Sequence, residues 1–532
     1  MEKTTSKHKV DSKISEILLL EKSKRGVLRM LFGRTGIVIA ILLAQIVLLV
    51  NIFMFLESVI PFMVGTLLVF TLSMVIYVMN SDHGTNVMLA WIATITLLPG
   101  FGGVLYIIIQ KDVGHRALKK RLKTIIKESQ SQLVAQKNVK NNLKKTNKSL
   151  HNLSTYTESA GGYPIYEGAH TQYFPIGEEA FEAMLSQLEK AEKYIFMEYF
   201  IIDEGYMWGR ILKILADKAK QGVEVRLMYD GTCEFALLPH NYPKKIQALG
   251  IACKMFAPIR PFLSTHYNYR DHRKILVVDG NVAFTGGINL ADEYINKKEV
   301  YGHWKDTAIM VQGEAVNSFT MMFLQMWNVN EGQRHYMQDK YRAKPLDTVN
   351  EGYVLPFGDS PLDSDKVGEM IYMDIINRAK DYVHIMTPYL ILDGEMLSAL
   401  KFAAKRGVDV KIILPHIPDK KMVFAQSRSY YAELIKSGVQ IYEYTPGFIH
   451  AKVFVSDDVR SVVGTINLDY RSLYHHFECA LYMEETISIA EVEKDFIDTM
   501  QRSQCVTLTD IKEYNIFMKA TGRILKLFAP LM

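Results

Sequence analysis

Two stretches of the chain repeat one uncommon pattern: a His, any residue, a Lys, four further residues and an Asp. Residues 271–279 read DHRKILVVD, and residues 449–457 read IHAKVFVSD. Each stretch is followed at the same distance by Gly, two residues and Asn, as GGIN from Gly286 and as GTIN from Gly464. A polar pattern repeated at matched spacing constrains the fold strongly, because the chain must build the same local structure twice.

The segments around the two patterns also match in order, which indicates that one domain has been duplicated. AKQGVEVRLMYD at 219–230 corresponds to AKRGVDVKIILP at 404–415, and WKDTAIMV later in the first copy corresponds to FECALYME in the second. We therefore predict a first domain at 161–345 and a second domain at 346–532.

Within the first copy, amphipathic helical segments alternate with short apolar runs. Residues 178–193 and 209–222 have helical periodicity, and the second segment ends at a Gly. The runs YIFMEYFII, VEVRLMYD and KILVVD are rich in β-branched and aromatic residues, which predicts buried strands. This alternation is typical of the α/β class, so we expect two tandem α/β sandwich domains, each with a mixed sheet, related by pseudo-twofold symmetry.

The front of the chain is more apolar than the rest. The full sequence is 49% hydrophobic and 22% charged, with a mean hydropathy of +0.02, which lies between a soluble enzyme and a protein built of membrane helices. Residues 37–56 and 59–79 each approach the ~20 apolar residues that a spanning helix needs. We predict that they form a transmembrane helical hairpin within a membrane region at 1–110; two buried helices of a soluble domain are the alternative.

A third apolar segment, 87–109, is interrupted by LLPGFGG, whose Pro and Gly residues break a straight helix. Basic residues are concentrated on both sides of the membrane region, between Lys3 and Arg34 and again in a basic linker at 111–160. Because basic flanks favour the cytoplasmic side, we expect two spans with a re-entrant third segment, and a catalytic region that faces the cytoplasm. Three full crossings are the alternative.

The basic residues of the linker bear on whether the chain binds anionic lipid or nucleic acid. Residues 116–150 contain eleven Lys and Arg residues and a single acid, Glu128. The simplest interpretation is a solvated helix or linker. Beside a bilayer, such a segment also attracts anionic lipid, at about 1 kcal/mol per basic residue near the surface. Nucleic acid could bind the same charge, but the neighbouring apolar segments favour lipid.

The two His-Lys pairs predict a phosphate site. Residues two apart on a strand share a face, so His272 projects with Lys274 and His450 projects with Lys452. Lysines and amides bind phosphate oxygens through charge-assisted hydrogen bonds, and the downstream amides complete the predicted phosphate-binding set, which is Asn289 and Asn467. The Asp of each motif lies an odd number of residues from its His, so Asp279 and Asp457 are expected at the strand end, with a structural role.

Two histidines can divide one displacement at phosphorus between them. One attacks phosphorus, and the other protonates the leaving oxygen. Imidazole serves in both roles because its pKa lies near neutrality. A nucleophilic imidazole needs an acceptor on its other nitrogen, and Asp306 and Glu478 occupy matching positions in the repeat. We expect these acids to orient the histidines, although ordinary surface acids would fit the sequence too.

The two HxKxxxxD motifs, with GGxN and GTxN behind them, resemble those of the phospholipase D superfamily from residue 161 onward. The segments NYRDHRKILVVDGNVAFTGGINLADEY, HWKDTAIMVQG, FIHAKVFVSDD and GTINLDYRS, the front-end LLPGFGGVLYI and the terminal RILKLFAPLM are similar to bacterial cardiolipin synthases. One position departs from that pattern: the family often has Asn-Phe-Glu where this chain has His476, Phe477 and Glu478.

The resemblance implies transfer of a phosphatidyl group between two phosphatidylglycerol molecules, with release of glycerol. It implies a phosphohistidine intermediate on His272 with His450 as the acid and base, although the symmetry allows the reverse. It also assigns the whole motif to catalysis, including Asp279 and Asp457. No cofactor and no metal are expected, because the chain lacks clustered metal-ligand spacing and its four Cys residues are scattered.

The expected partners are phosphatidylglycerol, other anionic phospholipids and the cell membrane, in which the chain would be a multi-pass protein; nucleic acid is not expected, and the sequence does not indicate an oligomeric state. A phospholipase or nuclease that transfers to water would use the same residues, so hydrolysis remains an alternative. A non-catalytic membrane scaffold is a weaker one, because both motifs are complete.

The C-terminus, 514–532, reads YNIFMKATGRILKLFAPLM, in which apolar residues are mixed with three basic residues. A helix packed on the second domain would explain this pattern. A helix in the membrane interface would explain it as well, because basic amphipathic segments bind there by apolar burial and by attraction to anionic lipid.

Overall fold

The computed structural model describes residues 63–531, except 82, 111–115, 131, 134–135, 259–268, 332–335, 337, 347–351 and 363–364, together with scattered positions between 40 and 55. Three apolar helices come first: α1 (Met63–Met79), α2 (Thr85–Leu97) and α3 (Phe101–Gln110). The chain breaks between α2 and α3 at the predicted Pro-Gly step, where Gly100 has a φ of 74°.

The described residues include only part of the predicted membrane hairpin. Most of the first predicted span, 37–56, and the start of the second lie outside the described residues. Within the part of the chain that the structure describes, no helix combines the length and apolar character needed to cross a bilayer. The transmembrane hairpin therefore stays a prediction, as does the number of crossings.

The basic linker forms three helices: α4 (Arg116–Gln130), α5 (Lys137–Thr146) and α6 (Lys148–Ala160). It is less solvated than its composition indicates. Leu122, Ile125, Leu143 and Leu150 are buried in the main hydrophobic core, and α4 packs against a helix of the first copy, described below. The lysines lie on the opposite, exposed side of α4. The linker is therefore an amphipathic part of the globular unit, as its apolar spacing would allow.

The first copy contributes the strands β1 (Tyr166–Glu167), β2 (His170–Phe174), β3 (Tyr194–Tyr199), β4 (Glu224–Asp230), β5 (Ala252–Phe256), β6 (Arg270–Asp271), β7 (Lys274–Val278), β8 (Val282–Gly286), β9 (His303–Lys305) and β10 (Ala308–Gln312). Its helices are α7 (Gly177–Lys190), α8 (Tyr206–Lys220), α9 (Thr232–Ala236), α10 (Tyr242–Gln247) and α11 (Val316–Trp327). Short 3₁₀ helices occupy Asp292–Ile295, Asn328–Asn330 and Asp339–Tyr341.

The second copy contributes the strands β11 (Tyr353–Asp359), β12 (Tyr382–Met386), β13 (Asp409–Pro415), β14 (Gln440–Tyr444), β15 (Gly447–Ile449), β16 (Val453–Ser456), β17 (Arg460–Gly464), β18 (His476–Glu484) and β19 (Ser503–Cys505). Its helices are α12 (Val367–Arg378), α13 (Gly394–Lys405), α14 (Lys421–Lys436), α15 (Tyr470–Tyr474), α16 (Ser488–Gln501), α17 (Leu508–Glu513) and α18 (Ile516–Phe528), followed by a 3₁₀ turn at Ala529–Leu531.

The two main sheets have the same strand order, which confirms the duplication. The first sheet runs β2-β10-β8-β7-β3-β4-β5, and the second runs β11-β18-β17-β16-β12-β13-β14, with β1 and β19 added at its edges. In each sheet the last three strands are parallel and the others antiparallel. Two mixed α/β domains of one topology are therefore present, as the repeated segments predict.

Short strands and helices connect the two copies. β6 of the first copy pairs in parallel with β18 of the second, and β15 of the second pairs in parallel with β9 of the first. One helix of each copy also bridges the two sheets: α11 contacts β3 and β7 of its own sheet and β11 of the other, while α16 contacts β12 and β16 and also β2. The strand pairings of β6 and β15 lie directly before the two histidine motifs.

The C-terminal helix α18 packs on the second copy with one side and leaves apolar residues exposed on the other, so the membrane-interface alternative stays a prediction. Gly522 lies against the Ala425 backbone of α14, so one side of the helix packs on the second copy. On the other side, Ile516 is 74% exposed and Phe517 is 79% exposed, and Ile524 is exposed as well. The helix also contacts α2 of the apolar front end.

Candidate active site

His272 lies in a break between two strands, because β6 pairs with β18 of the other sheet, while β7 belongs to the sheet of its own copy. Its backbone N–H donates to the Phe477 carbonyl at 2.9 Å. Its Nδ1 lies 2.9 Å from both carboxylate oxygens of Glu478. The expectation that one regular strand carries His272 and Lys274 is therefore wrong. Lys274 begins β7 instead and its Nζ donates to the His272 carbonyl at 2.6 Å.

The second motif repeats this arrangement. The backbone N–H of His450 donates to the Lys305 carbonyl at 2.7 Å, and its Nδ1 lies 2.7 Å from Asp306 Oδ2. Lys452 Nζ donates to the His450 carbonyl and lies 2.8 Å from His450 Nδ1. As in the first copy, the residue that accepts from the His backbone comes directly before the acid that holds the His side chain.

The acids are exchanged between the copies. Glu478 of the second copy holds His272 of the first, and Asp306 of the first holds His450 of the second. The sequence predicts that these two acids orient the two histidines, but it does not indicate which acid contacts which histidine. Because each half-site needs a carboxylate from the other copy, neither copy can form it alone.

Burial dominates the electrostatics. All four motif side chains are less than a tenth exposed. Loss of water lowers the pKa of Lys274 to about 8 and that of Lys452 to about 7, in both cases against the attraction of nearby carboxylates. The charge of Lys274 lowers the pKa of Lys452 further. The two motifs are therefore close enough to affect each other electrostatically.

Both histidines have lowered pKa values, whereas the pKa values of their two acids are shifted in opposite directions. Burial lowers the pKa of His272 and of His450, and the neighbouring lysines lower both further. Burial raises the pKa of Asp306 to about 7. Burial also acts to raise the pKa of Glu478, but its contact with His272 outweighs this and holds that pKa below its usual range. We assign an Nδ1–H to each histidine, donated to its acid, which leaves Nε2 with a free lone pair.

A difference between GGIN and GTIN fits the two acids. The hydroxyl of Thr465 donates to Glu478. The equivalent residue is Gly287, where an added Cβ would collide with the Asp306 carboxylate. Asp is one methylene shorter than Glu and lies close to the backbone, so the first copy has no room for a side chain there. Sequence reasoning did not interpret this difference, although the single change between the two tetrapeptides indicates it.

The two asparagines are near the histidines but differ in what they contact. Asn289 Oδ1 accepts from the Ile201 N–H at 3.0 Å, and its Nδ2 donates to the Tyr294 hydroxyl at 2.8 Å. Asn467 Oδ1 is buried and has no hydrogen-bond partner among the described residues. Asn289 therefore holds the loop before the site and keeps one free N–H; phosphate binding by either amide stays a prediction.

The motif carboxylates hold the backbone. Asp279 accepts from the N–H groups of Glu192, Lys193 and Tyr194 at 2.7–2.8 Å, which fixes the start of β3. Asp457 accepts from 380–382 in the same way, at 2.9–3.0 Å, and both Asp residues have positive φ values, of 55° and 56°. These contacts match the strand-end interpretation, so we assign both residues a structural role in place of the catalytic one that the motif resemblance implied.

Further residues surround the histidines. The ring of Phe200 lies 4.9 Å from that of His272, and the rings of Tyr294 and Trp304 each lie 5.5 Å from that of His450. These side chains exclude water from the imidazoles. His476 is a third imidazole, 5.3 Å from the His272 ring. Ligand atoms of His272, His476 and Glu478 lie within 4.8 Å of one another, so this group could hold a metal ion.

Comparison with known proteins identifies the family. A model described as "Cardiolipin synthase, PLD-like domain" matches residues 184–327 and 372–500, which contain one histidine motif each. The chain belongs to the cardiolipin synthase family. A cardiolipin synthase of Alkalihalophilus pseudofirmus is 34% identical over 90% of this chain and 95% of its own length. An uncharacterized protein of Streptococcus mutans is 51% identical over 86% of this chain and 99% of its own length.

A solved structure shares the fold of this family member. The crystal structure of a phosphatidylserine synthase from Haemophilus influenzae covers 72% of this chain and 98% of its own, with a TM-score of 0.55 and 15% sequence identity. At this identity the likeness concerns the fold. It extends over both copies together, since the matched length exceeds that of either one.

Proposed function

We propose that this phosphatidyltransferase moves a phosphatidyl group from one phosphatidylglycerol to a second, forming cardiolipin and releasing glycerol. The observation that carries the proposal is the pair of buried half-sites, in which each His Nδ1 lies 2.7–2.9 Å from a carboxylate oxygen of the other copy. With the assigned Nδ1–H, each Nε2 keeps its lone pair. Two such imidazoles in one cationic site suit double displacement at a phosphodiester. Exchange of one phosphodiester for another needs no energy-supplying nucleotide.

His272 is the proposed nucleophile. Its acid, Glu478, keeps a low pKa, so a full negative charge faces the ring that gains positive charge on attack. Asp306, with its pKa raised to about 7, offers a weaker charge to His450. Nε2 of His272 attacks phosphorus, the bond to the glycerol headgroup oxygen breaks, and a phosphohistidine forms. The alternative of attack by His450 uses the same atoms in the opposite order.

His450 is the proposed acid and base. Its Nε2 gives a proton to the leaving glycerol and then takes one from the primary hydroxyl of the acceptor phosphatidylglycerol. That oxygen attacks phosphorus, the P–N bond breaks and His272 is restored. Lys452 and Lys274 hold the pKa of free His450 down. A bound phosphodiester anion offsets their charge, so substrate binding favours the protonated acid that the first step needs.

The lysines are proposed to bind the phosphodiester. Each Nζ is already anchored to the carbonyl of its own histidine, so its remaining N–H bonds have a fixed direction. Burial brings the pKa of Lys274 to about 8 and that of Lys452 to about 7. An anionic substrate shifts them to the charged form, which ties lysine protonation to substrate binding.

The substrate is a lipid, and we propose that the protein is held on the membrane by its front end and by α18. The exposed side of α18 carries Ile516 and Phe517, and α18 also contacts α2 of the apolar front end. Lys519 and Arg523 stand on the same helix and complement anionic headgroups. A cytoplasmic catalytic region with two spans remains the expected topology from the basic flanks.

One assay tests the reaction. Purified full-length protein and phosphatidylglycerol should yield cardiolipin and glycerol in equal amounts by lipid chromatography and headgroup analysis. Phosphatidic acid as the main product would instead mean transfer to water, and no product would mean a scaffold. His272→Ala and His450→Ala should each reduce turnover by about two orders of magnitude or more. Phosphate trapped on His450 would reverse the two roles.

A further inference from the structure

A largely buried imidazole nitrogen that has no hydrogen-bond partner in the described part of the chain lies beside the proposed nucleophile. His476 begins β18, its side chain is 10% exposed, and its Nδ1 has no hydrogen-bond partner among the described residues. Glu478 Oε1 lies 3.6 Å from that Nδ1, beyond hydrogen-bond distance. Neither orientation of His272 by Glu478 nor phosphate binding by the lysines uses this ring. A buried polar atom without a partner requires an explanation.

We propose that His272, His476 and Glu478 form an inhibitory site for a borderline divalent metal ion, of which Zn²⁺ is the best example. Two imidazoles and one carboxylate are a common zinc-ligand set, with a fourth position left open. Zn–N and Zn–O bonds of about 2.0–2.2 Å place tetrahedral ligands about 3.3–3.5 Å apart. The present ligand atoms lie within 4.8 Å of one another, so a shift of about 1 Å would complete the set.

The ion would inhibit by moving one proton. In the free enzyme the Nδ1–H of His272 donates to Glu478, and Nε2 carries the lone pair. If Zn²⁺ takes the lone pair of Nδ1, the single ring proton of neutral imidazole must lie on Nε2. The nitrogen proposed to attack phosphorus then has no lone pair to give. No net proton is lost from the ring, because its N–H only changes position. This consequence rests on His272 as the proposed nucleophile; binding of the ion does not.

The side chain at position 476 decides whether this ligand set is complete, because Asn is a poor zinc ligand beside His. Replacing His476 by Asn should therefore remove the ion site while leaving a polar side chain of smaller size. His475 provides a matched control, since it is the neighbouring imidazole and is not one of the three grouped ligands.

The test uses purified full-length enzyme in detergent, with Zn²⁺ and Mg²⁺ as probes. Calorimetry and the visible spectrum of substituted Co²⁺ measure binding without reference to activity. One Zn²⁺ per chain should bind to wild type and to His475→Asn. Affinity should fall by at least ~10-fold in His476→Asn, because loss of even an outer partner costs about 10–100-fold. Mg²⁺, which prefers oxygen ligands in an octahedron, should not compete.

Activity supplies the second arm, with each variant compared with its own metal-free rate. Micromolar Zn²⁺ should inhibit wild type and His475→Asn, and chelation should restore the rate. His476→Asn should need at least ~10-fold more Zn²⁺ for the same inhibition. Equal binding and equal inhibition in all three proteins would overturn the proposal. If Zn²⁺ binds as expected but no cardiolipin is made, the ion site stands and the proposed function fails.

Discussion

Replacing Glu478 by Gln should slow formation of the phosphohistidine far more than it destabilises the protein. Glu478 accepts from His272 Nδ1 at 2.9 Å with both oxygens, and from the Thr465 hydroxyl. Gln has the same shape and can keep an oxygen toward His272 while its NH₂ faces Thr465, whose hydroxyl can turn to accept. The lost property is the negative charge.

The magnitude follows from the charge that His272 gains on attack. The imidazole ring becomes cationic when its Nε2 bonds to phosphorus. A unit charge about 4 Å from the carboxylate interacts with it by about 4 kcal/mol at an effective dielectric constant of about 20. Part of this is present already in the hydrogen bond of the neutral ring, so we expect a loss of about 3–4 kcal/mol in the transition state. That corresponds to a decrease of about 10²–10³-fold in rate.

Rapid-quench measurement of glycerol release reports this step directly. Glu484→Gln is the matched control, because Glu484 is equally buried on the same strand but pairs with Arg378, at 3.0 Å. It should lower thermal stability and leave the rate per folded molecule nearly unchanged. If Glu478→Gln and Glu484→Gln slow glycerol release alike, once corrected for the folded fraction, the exchanged carboxylate does not act on the chemistry.

Three other predictions concern the motif Asp, the lysines and the C-terminal helix. Asp279→Asn should lower the free energy of unfolding by about 1–3 kcal/mol, because one of the backbone N–H groups meets an NH₂, and denaturant titration should show this while the folded enzyme keeps its KM. For the lysines, kcat/KM for phosphatidylglycerol should fall as pH rises through about 7, where Lys452 loses its proton, and through about 8, where Lys274 does; Lys452→Arg should flatten the lower part of the profile even if it is slower, and an unchanged slope there would contradict phosphate binding by Lys452. A double variant, Ile516→Ser and Phe517→Ser, should keep its melting temperature because both side chains are exposed, yet lose activity on anionic vesicles and not on detergent micelles; equal losses on both would exclude an interfacial role.

Repetition made the fold predictable. Matched segments in two copies predict two sheets of one topology, and the strand orders agree. Local periodicity also placed β3, β4 and β7 to within a few residues. The same periodicity failed at His272, because β6 leaves the first sheet to pair with β18 of the second. A pairing between copies is a tertiary property, and alternation along one strand does not encode it.

The sequence predicts which residues form the site, but not which acid contacts which histidine. His272, His450, Asp306 and Glu478 follow from the repeat, yet a repeat is equally consistent with each acid serving its own copy. The exchange depends on how the copies face each other. The burial of the basic linker, in contrast, could have been predicted from the sequence. The spacing of its apolar residues indicates a helix with one apolar face, but the interpretation as a solvated segment rested on its charge alone.

Duplication gives two equal half-sites, but double displacement needs unequal ones. A nucleophile requires a fixed negative charge behind it, whereas a proton shuttle works best when its proton can be gained and lost near neutral pH. Two differences between the half-sites lie where this distinction would be made. Glu478 has room for Thr465 beside it and stays ionised, while the shorter Asp306 lies against Gly287 with a pKa raised to about 7. We propose that these two differences, Glu for Asp and Thr for Gly, favour attack by His272 and proton transfer by His450.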